Sequence, residues 1–142
     1  MSGQLEITNP DTIAPPKSTY SHVSSFSVTS PCRIISIAGQ AGIDKSYELV
    51  ALDLDAQVKA ALENLRACLE SVGAGPKDVI RVTHYIVGYD EKDRAWARHF
   101  VDFFLGNPPP ATLVPGEPSF STLVFYMCKS FELIMLSLVH SV

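Results

Sequence analysis

One carboxylate, Glu132, lies within an almost continuous apolar stretch near the end of the sequence, "SFELIMLSLV". The stretch is predicted to be a β-strand with apolar residues on both of its alternating faces. Burying a carboxyl group is costly unless it is paired, hydrogen-bonded or protonated, and burial favours general acid or base chemistry. Glu132 is therefore the first catalytic candidate. The alternative is a strand-end glutamate that reaches solvent or pairs with Lys129.

A histidine, His84, lies in the predicted strand "VIRVTHYIV", where it alternates with apolar residues such as Val82 and Ile86. A single histidine on an apolar face is more often a hydrogen-bonded core residue than a catalyst. We nevertheless include His84 among the candidate substrate-binding residues. The other histidines share no metal-ligand spacing with it, so no metal site is predicted.

The glycine-containing segment "IAGQAG", residues 37–42, has neither the Lys-Ser/Thr pair of a P-loop nor the βαβ context of a dinucleotide fingerprint. Its glycine and Gln40, at the end of a predicted strand, suit close approach of the backbone to a ligand or another subunit. The sequence contains no GxSxG elbow, and Cys128 on an apolar strand is typical of an inert core thiol. No cofactor is predicted.

Three consecutive prolines precede a threonine in "NPPPATLVPG", residues 107–116. Proline fixes its own φ and restricts the preceding residue, so this segment is predicted to be a stiff surface loop that holds Ala111 and Thr112 extended. The loop therefore presents the hydroxyl group of Thr112.

Two helices and five strands are predicted to position these residues. The helices are "LDLDAQVKAALENLRACLESVG", with Asp53 or Asp55 as cap and Gly73 at its end, and "DEKDRAWARHFVDFFLG", with Asp90 as cap and Gly106 at its end. The strands are "SFSVTS", "RIISIAGQ", "DVIRVTHYIV", "STLVFYMC" and "SFELIMLSLV". The order β-β-α-β-α-β-β predicts an α+β sandwich, a mixed sheet with both helices on one face.

The last strand also bears on assembly, because a strand that is apolar on both faces must be covered on both. If the helices cover one face, a partner subunit is the simplest cover for the other, and an oligomer is predicted.

Composition limits the class of protein. The chain has 142 residues, 46% of them apolar and 18% charged, which predicts one domain over residues 1–142 with a flexible N-terminal segment at 1–12. A net charge of −4 without a basic run disfavours nucleic-acid binding. The three cysteines form no CxxC pair, and neither a secretory signal nor a membrane span is evident, so a soluble cytoplasmic protein is predicted.

Five segments, from about Ile13 to Val139, resemble motifs of the RidA/YjgF family of reactive-intermediate deaminases. They correspond to the family's A-P-x-x-x-x-Y-S-Q segment, its S-G-Q strand and turn, its first helix with the following strand, its P-A-R-S loop and its I-E-I-E-A-I-A strand. In this sequence they read "APPKSTYSH", "IISIAGQAGID", "DLDAQVKAALENLRACLESVGAGPKDVIRVTHYIV", "NPPPATLVP" and "SFELIMLSLV".

The resemblance implies a chorismate-mutase-like two-layer fold, a homotrimer, and small-molecule clefts between subunits. In such proteins a glutamate and a tyrosine assist hydrolysis of an imine or enamine, and an arginine grips the substrate carboxylate. The glutamate matches Glu132 and the tyrosine matches Tyr20. The residues around the S-G-Q turn match Ala38, Gly39 and Gln40.

Two positions depart from the family pattern. Thr112 stands where the arginine is expected and Ala38 where the serine is expected, and no arginine follows Arg98. A threonine hydroxyl cannot neutralise a carboxylate, so a free α-imino acid is a poor substrate. A larger neutral or decarboxylated substrate fits better, with Leu113, Val114 and Phe120 in contact with it.

Two hypotheses from different classes follow. The first is an enzyme that uses Glu132 to transfer a proton on an imine, enamine, enol or ketone, giving hydrolysis or tautomerisation. The second is a non-catalytic trimer that binds a metabolite, which the lost arginine and serine motivate. RNA cleavage, which has been associated with some relatives, receives no support from the acidic chain.

Overall fold

A mixed β-sheet and two helices make up two layers in the computed structural model. It describes residues 5–25, 32–116 and 131–141, and for 32–34 and 131–141 it describes the backbone. The strands are β1 Glu6–Thr8, β2 Val23–Ser25, β3 Cys32–Ala41, β4 Val79–Val87, β5 Ala111–Gly116 and β6 Phe131–Ser141. The helices are α1 Leu54–Ser71 and α2 Ala97–Phe103, and a 3₁₀ turn spans Pro76–Asp78.

Within the described residues, the main sheet has four strands in the order β3-β6-β4-β5. Strand β6 is antiparallel to both of its neighbours, whereas β5 runs parallel to β4. Strands β1 and β2 form a separate antiparallel pair, which contacts β4 where the Ser24 hydroxyl donates to the carbonyl of Ile80 at 2.8 Å. The last strand in sequence therefore occupies an interior position of the sheet.

Helix α1 agrees with its prediction at both ends. The Asp53 side chain accepts a hydrogen bond from the Ala56 amide at 2.8 Å, which satisfies an amide of the first turn that has no partner in the helix. Just past the end, Gly73 has φ of 75°, which glycine adopts without strain. The buried face consists of Gln57, Val58, Ala61, Leu62, Leu65 and Leu69.

Helix α2 is shorter than predicted at its start. It begins at Ala97, and Asp90 instead stabilises a turn by accepting from the Lys92 amide at 2.9 Å. An aspartate can satisfy the amides of a turn as readily as those of a helix, so its presence did not specify which would form. The predicted aromatic inner side is confirmed, since Trp96 and Phe100 are 1% and 0% exposed.

Both helices cover the same face of the sheet, as predicted for an α+β sandwich. The core between the layers joins α1, β4 and α2, with Phe100 of α2 and Leu65 of α1 both fully buried. Val82 and Ile86 of β4 contribute the sheet side of this core.

The proline-rich segment was predicted to be a loop, and its second half forms strand β5 at the edge of the sheet. Prolines favour extended backbone in the preceding residue, and extended backbone can pair with a neighbouring strand. Pro115 lacks an amide donor, which an edge strand tolerates. The predicted strand "STLVFYMC", residues 121–128, lies outside the described residues.

A short strand lies near the N-terminus. Strand β1 falls within residues 1–12 and pairs with β2. The predicted strand "SFSVTS" overlaps β2 at Ser25, and its residues 26–30 lie outside the described part of the chain.

Candidate functional site

The register of the main sheet brings several candidate residues to the face opposite the helices. Tyr85 of β4 is paired with residue 132 of β6 on one side and with Val114 of β5 on the other. Thr83, two residues earlier, is paired with Thr112. Register partners occupy the same face of a sheet, so these five positions form a contiguous patch.

Glu132 lies near the start of β6, between two paired strands. Its register partners are Ala41 on β3 and Tyr85 on β4. The backbone at residue 132 is therefore part of the sheet interior rather than of its edge.

A β-bulge interrupts β3 beside this position. Ile37 is paired with Met135 and Gln40 with Leu133, so β3 advances three residues where β6 advances two. The Gln40 side-chain amide donates to the carbonyl of Ala38 at 3.2 Å across the bulge. Ala38 and Gly39 thus lie in a bulge within a strand that continues to Ala41, and bulges commonly re-aim side chains next to active sites.

Helix α1 holds the end of β3 in place. The Asn64 amide donates to the carbonyls of Ala41 and Ile43, each at 3.0 Å. A Cβ atom at Gly42 would lie 2.7 Å from the Cα of Gln57, so only glycine allows this approach. Gly42 therefore allows the end of β3 to approach α1 closely. The approach of Gly39 and Gln40 to a ligand or another subunit stays a prediction.

The segment that carries Tyr20 is fastened to the residues preceding β5. The amide of Ser21 donates to the carbonyl of Pro109 at 3.1 Å, and its hydroxyl donates to the carbonyl of Pro108. Tyr20 is half-buried, and its ring meets His22 edge-on at 5.6 Å between centroids. Two distant parts of the sequence thereby place Tyr20 near the start of the strand that carries Thr112.

Strand β5 divides the remaining candidates between the two faces. Thr112 is exposed and Val114 is half-buried on the patch described above. Leu113, predicted to contact a substrate, packs with Ala111 against the core on the helix-covered face, because adjacent strand residues point in opposite directions. Phe120 lies outside the described residues.

His84, another candidate substrate-binding residue, lies on the helix-covered face. It is 2% exposed and packs between Phe100 at 4.2 Å and Trp96 at 6.2 Å, measured between ring centroids. Burial disfavours the charged imidazolium and lowers the pKa of His84 from 6.5 to about 3. A neutral core residue, the more common interpretation of the sequence, describes this environment.

Sequence reasoning missed two residues, one in the patch and one beside the segment that carries Tyr20. Tyr85, 36% exposed, is the side chain in register with Glu132, and only the alternation that buries His84 could have indicated it. Arg94, in the loop before α2, donates to the Thr19 hydroxyl at 3.3 Å, next to Tyr20. No sequence signal joins residues so far apart.

Two other features, a cluster of metal-ligating side chains and a membrane-spanning helix, are absent from the described residues. In that part of the chain no group of three or more His, Cys, Asp or Glu side chains could hold a metal ion. No helix in the same residues is long and apolar enough to cross a membrane.

Comparisons with known proteins agree with this architecture. A family model described as Endoribonuclease L-PSP matches residues 12–116. A RutC family protein of Pyrococcus abyssi is 37% identical over 78 residues, covering 54% of this chain and 60% of that protein. A RutC family protein of Pyrococcus horikoshii is 40% identical over 76 residues, covering 53% of this chain and 59% of that protein. The chain therefore spans about three fifths of the length of these two relatives.

Among solved structures, the protein of unknown function YyfB of Yersinia pestis, from the conserved Rid protein family, superposes with a TM-score of 0.78. It is 25% identical, and the match covers 98% of this chain and 99% of that one. The matched residues 12–116 include the Tyr20 segment, the bulge of β3 and strand β5, and by this match the chain belongs to the Endoribonuclease L-PSP family, that of the RidA/YjgF proteins.

Proposed function

We propose that this protein is a small-molecule enzyme in which Glu132, assisted by Tyr20, transfers a proton on an imine, enamine, enol or ketone. The observation that carries the proposal is the register of residue 132, opposite Tyr85 and beside the bulge that contains Ala38 and Gly39. A carboxylate at an interior position of a sheet is costly to bury, and such groups are often found at functional sites.

Hydrolysis of an imine needs a base that accepts a proton from water while the oxygen attacks the C=N carbon. The same carboxylic acid then returns the proton to the nitrogen, which gives a carbinolamine. The carboxylate next takes the hydroxyl proton of the carbinolamine and passes it to the nitrogen as the C–N bond breaks, leaving a carbonyl compound and ammonia or an amine. Tautomerisation uses the same carboxylate to move a proton between carbon and the heteroatom, without water. Both reactions are within the capacity of one carboxylate with a neighbouring hydroxyl group.

The substrate we propose is not a free α-imino acid. Thr112 occupies the register position next to Thr83 on the patch, and a hydroxyl there can exchange one hydrogen bond but carries no charge. Hydrogen bonds to charged groups contribute about 1.5 to 3 kcal/mol, which an α-carboxylate would lose at this position.

The assembly we propose is a homotrimer with substrate clefts between copies. The support is the sheet face opposite the helices, where Tyr85 stays 36% exposed in the middle of the sheet. The sequence of β6 has apolar residues on both faces, with Glu132, Ser137, His140 and Ser141 as its polar residues, and an apolar face without helices requires another cover.

The test is imine hydrolysis. Imines are generated in situ from amino acids and simple amines, and carbonyl release is compared for wild type, Glu132→Gln and buffer. We expect Glu132→Gln to abolish turnover while sedimentation shows an unchanged assembly. Glu63→Gln, which removes an exposed carboxylate from α1, is the matched control and keeps wild-type turnover. Unchanged turnover in Glu132→Gln would refute the proposal.

The alternative is a metabolite-binding protein without turnover, which the replacements at Thr112 and Ala38 favour. Calorimetry followed by recovery of the ligand distinguishes the two, because an enzyme returns product and a binding protein returns the ligand unchanged. The name of the family, Endoribonuclease L-PSP, also suggests RNA cleavage, but the net charge of −4 does not favour binding to phosphates.

A further inference from the structure

Arg94 holds a half-buried guanidinium group against three neutral partners. Its Nη1 donates to the Tyr89 hydroxyl at 3.2 Å, and its Nη2 donates to the Thr19 hydroxyl at 3.3 Å. Its Cζ atom lies 5.5 Å from the centre of the Trp96 ring. Thr19 and Trp96 are themselves buried, so two of the three partners are fixed by the fold.

No carboxylate balances this charge among the side chains that the structure describes. The ion pairs within that part of the chain join Asp55 to Arg98 and to His99. Of the acidic neighbours of Arg94 along the chain, Asp90 and Asp93 accept from backbone amides of their own turn, and Glu91 is exposed. A cation that has lost part of its hydration is stabilised by an anion, so an external anion suits this position.

The guanidinium group of Arg94 has the hydrogen-bond donors needed to bind an anion. An arginine carries five N–H donors in a planar fork that matches the two oxygens of a carboxylate, and the two hydroxyl groups engage one donor each. A fork held in advance by hydroxyl groups and an aromatic ring loses little side-chain entropy on binding.

Its position connects it to the proposed site. Thr19 immediately precedes Tyr20, and Ser21 is bonded to Pro109, at the start of the strand that carries Thr112. The described contacts of Arg94 are with Thr19, Tyr89 and Trp96. Residue 132 is paired with Ala41 and Tyr85. An anion at Arg94 would therefore lie beside the segment that carries Tyr20 rather than at a register partner of residue 132.

We propose that Arg94 binds a carboxylate of the substrate, and that this carboxylate is separated by several bonds from the carbon that reacts. The inference rests on the proposed function and refines its substrate class. The reacting end carries no α-carboxylate, in keeping with Thr112, and the distant end is anionic.

Three substrates separate this inference from a structural role of Arg94. Imines are generated from butylamine, which has no carboxylate, from alanine, which has an α-carboxylate, and from 5-aminopentanoate, which has a distant one. We expect Arg94→Gln to lower kcat/KM about 10- to 100-fold for the third alone, by the magnitude of charge-assisted bonds. Arg94→Lys restores part of the loss. An equal loss on all three substrates would mean that Arg94 only supports the fold.

Arg98→Gln is the matched control, because it removes the same positive charge only four residues along the chain. The side chain of Arg98 is exposed and is paired with Asp55. We expect it to leave the ratio between the three substrates at the wild-type value. A fall in this ratio equal to that of Arg94→Gln would assign the effect to overall charge and overturn the inference.

A binding measurement keeps this inference apart from the proposed function. Glutarate, a dicarboxylate that cannot be turned over by imine chemistry, is titrated into wild type and Arg94→Gln by calorimetry. Binding that weakens about 10-fold or more in Arg94→Gln supports the anion site even if no imine is hydrolysed. Equal binding to both proteins, or none to wild type, rejects the site even if Glu132-dependent hydrolysis is found.

Discussion

The two faces of the main sheet differ in how far a single chain covers them. On the helix-covered face, Val82, His84 and Ile86 of β4 are 1%, 2% and 0% exposed. On the other face, Tyr85 of the same strand is 36% exposed although it lies in the middle of the sheet. One strand thus contributes both to a finished core and to a surface that carries the proposed chemistry.

The comparison separates the requirements of stability from those of function. The covered face accepts even a histidine, provided that it is neutral and packed among aromatic rings. The other face collects hydroxyl groups and a carboxylate position in register, where an apolar surface would be simpler to cover. Four predictions test whether the helix-covered face provides stability and the other face provides function.

The largest effect is expected for Tyr85→Glu. In the proposed trimer this change buries a carboxylate at each copy of the interface, which costs several kcal/mol per group, so the trimer should dissociate to monomers. Sedimentation equilibrium measures the mass. Tyr47→Glu, at a position 79% exposed, should leave the assembly unchanged. A Tyr85→Glu protein that keeps the wild-type mass would show that this face is not the interface.

Phe100→Ala tests the covered face. Phe100 is 0% exposed and contacts both His84 and Trp96, so the change should lower the free energy of unfolding by about 3 to 5 kcal/mol. Denaturant unfolding measures it. Leu52→Ala, at a residue 76% exposed, is the control and should change the free energy by less than about 0.5 kcal/mol. Similar losses in both variants would contradict the assignment of the core.

His84→Leu should flatten the pH dependence of stability. The unfolded chain binds a proton at residue 84 below about pH 6.5, whereas the folded chain, in which the pKa of His84 is lowered to about 3, does not. The free energy of unfolding of wild type therefore falls as the pH drops from 6.5 toward 3, by up to about 1.4 kcal/mol per pH unit from this group. Denaturant titrations at several pH values measure the slope, and equal slopes in both proteins would show that His84 is protonated when folded.

The smallest effect is expected for Asp53→Ala, which removes the cap of α1 far from the open face. The free energy of unfolding should fall by about 0.5 to 2 kcal/mol, because the Ala56 amide loses its acceptor. Asp53→Asn keeps an acceptor and should retain most of the stability. Glu132-dependent turnover is expected to persist in both variants, and its loss in Asp53→Ala would mean that the two faces are not independent.

Local patterns predicted the elements whose formation depends on neighbours in sequence. Helix α1 followed from its apolar spacing, its cap at Asp53 and the glycine at its end. The burial of His84 followed from alternation along β4. The start of α2 did not follow from local patterns, because the side chain of an aspartate such as Asp90 can accept from backbone amides in a turn as well as in a helix.

Contacts between distant segments were beyond such patterns. Strand β5 is a strand only because β4 lies beside it, and its proline-rich sequence alone is equally suited to a loop. The identity of Tyr85 as the partner of residue 132 depends on the register between β4 and β6, in which a shift of one residue exchanges the two faces.

The sequence by itself determined the fold class, the two helices, the burial of His84 and the family resemblance, because periodicity and ordered motifs are properties of the chain. Only the tertiary structure decided which face each candidate occupies and that Arg94 meets Thr19, 75 residues away. Such pairings depend on strand order, register and loop path, which arise when the whole chain packs and which no local segment encodes.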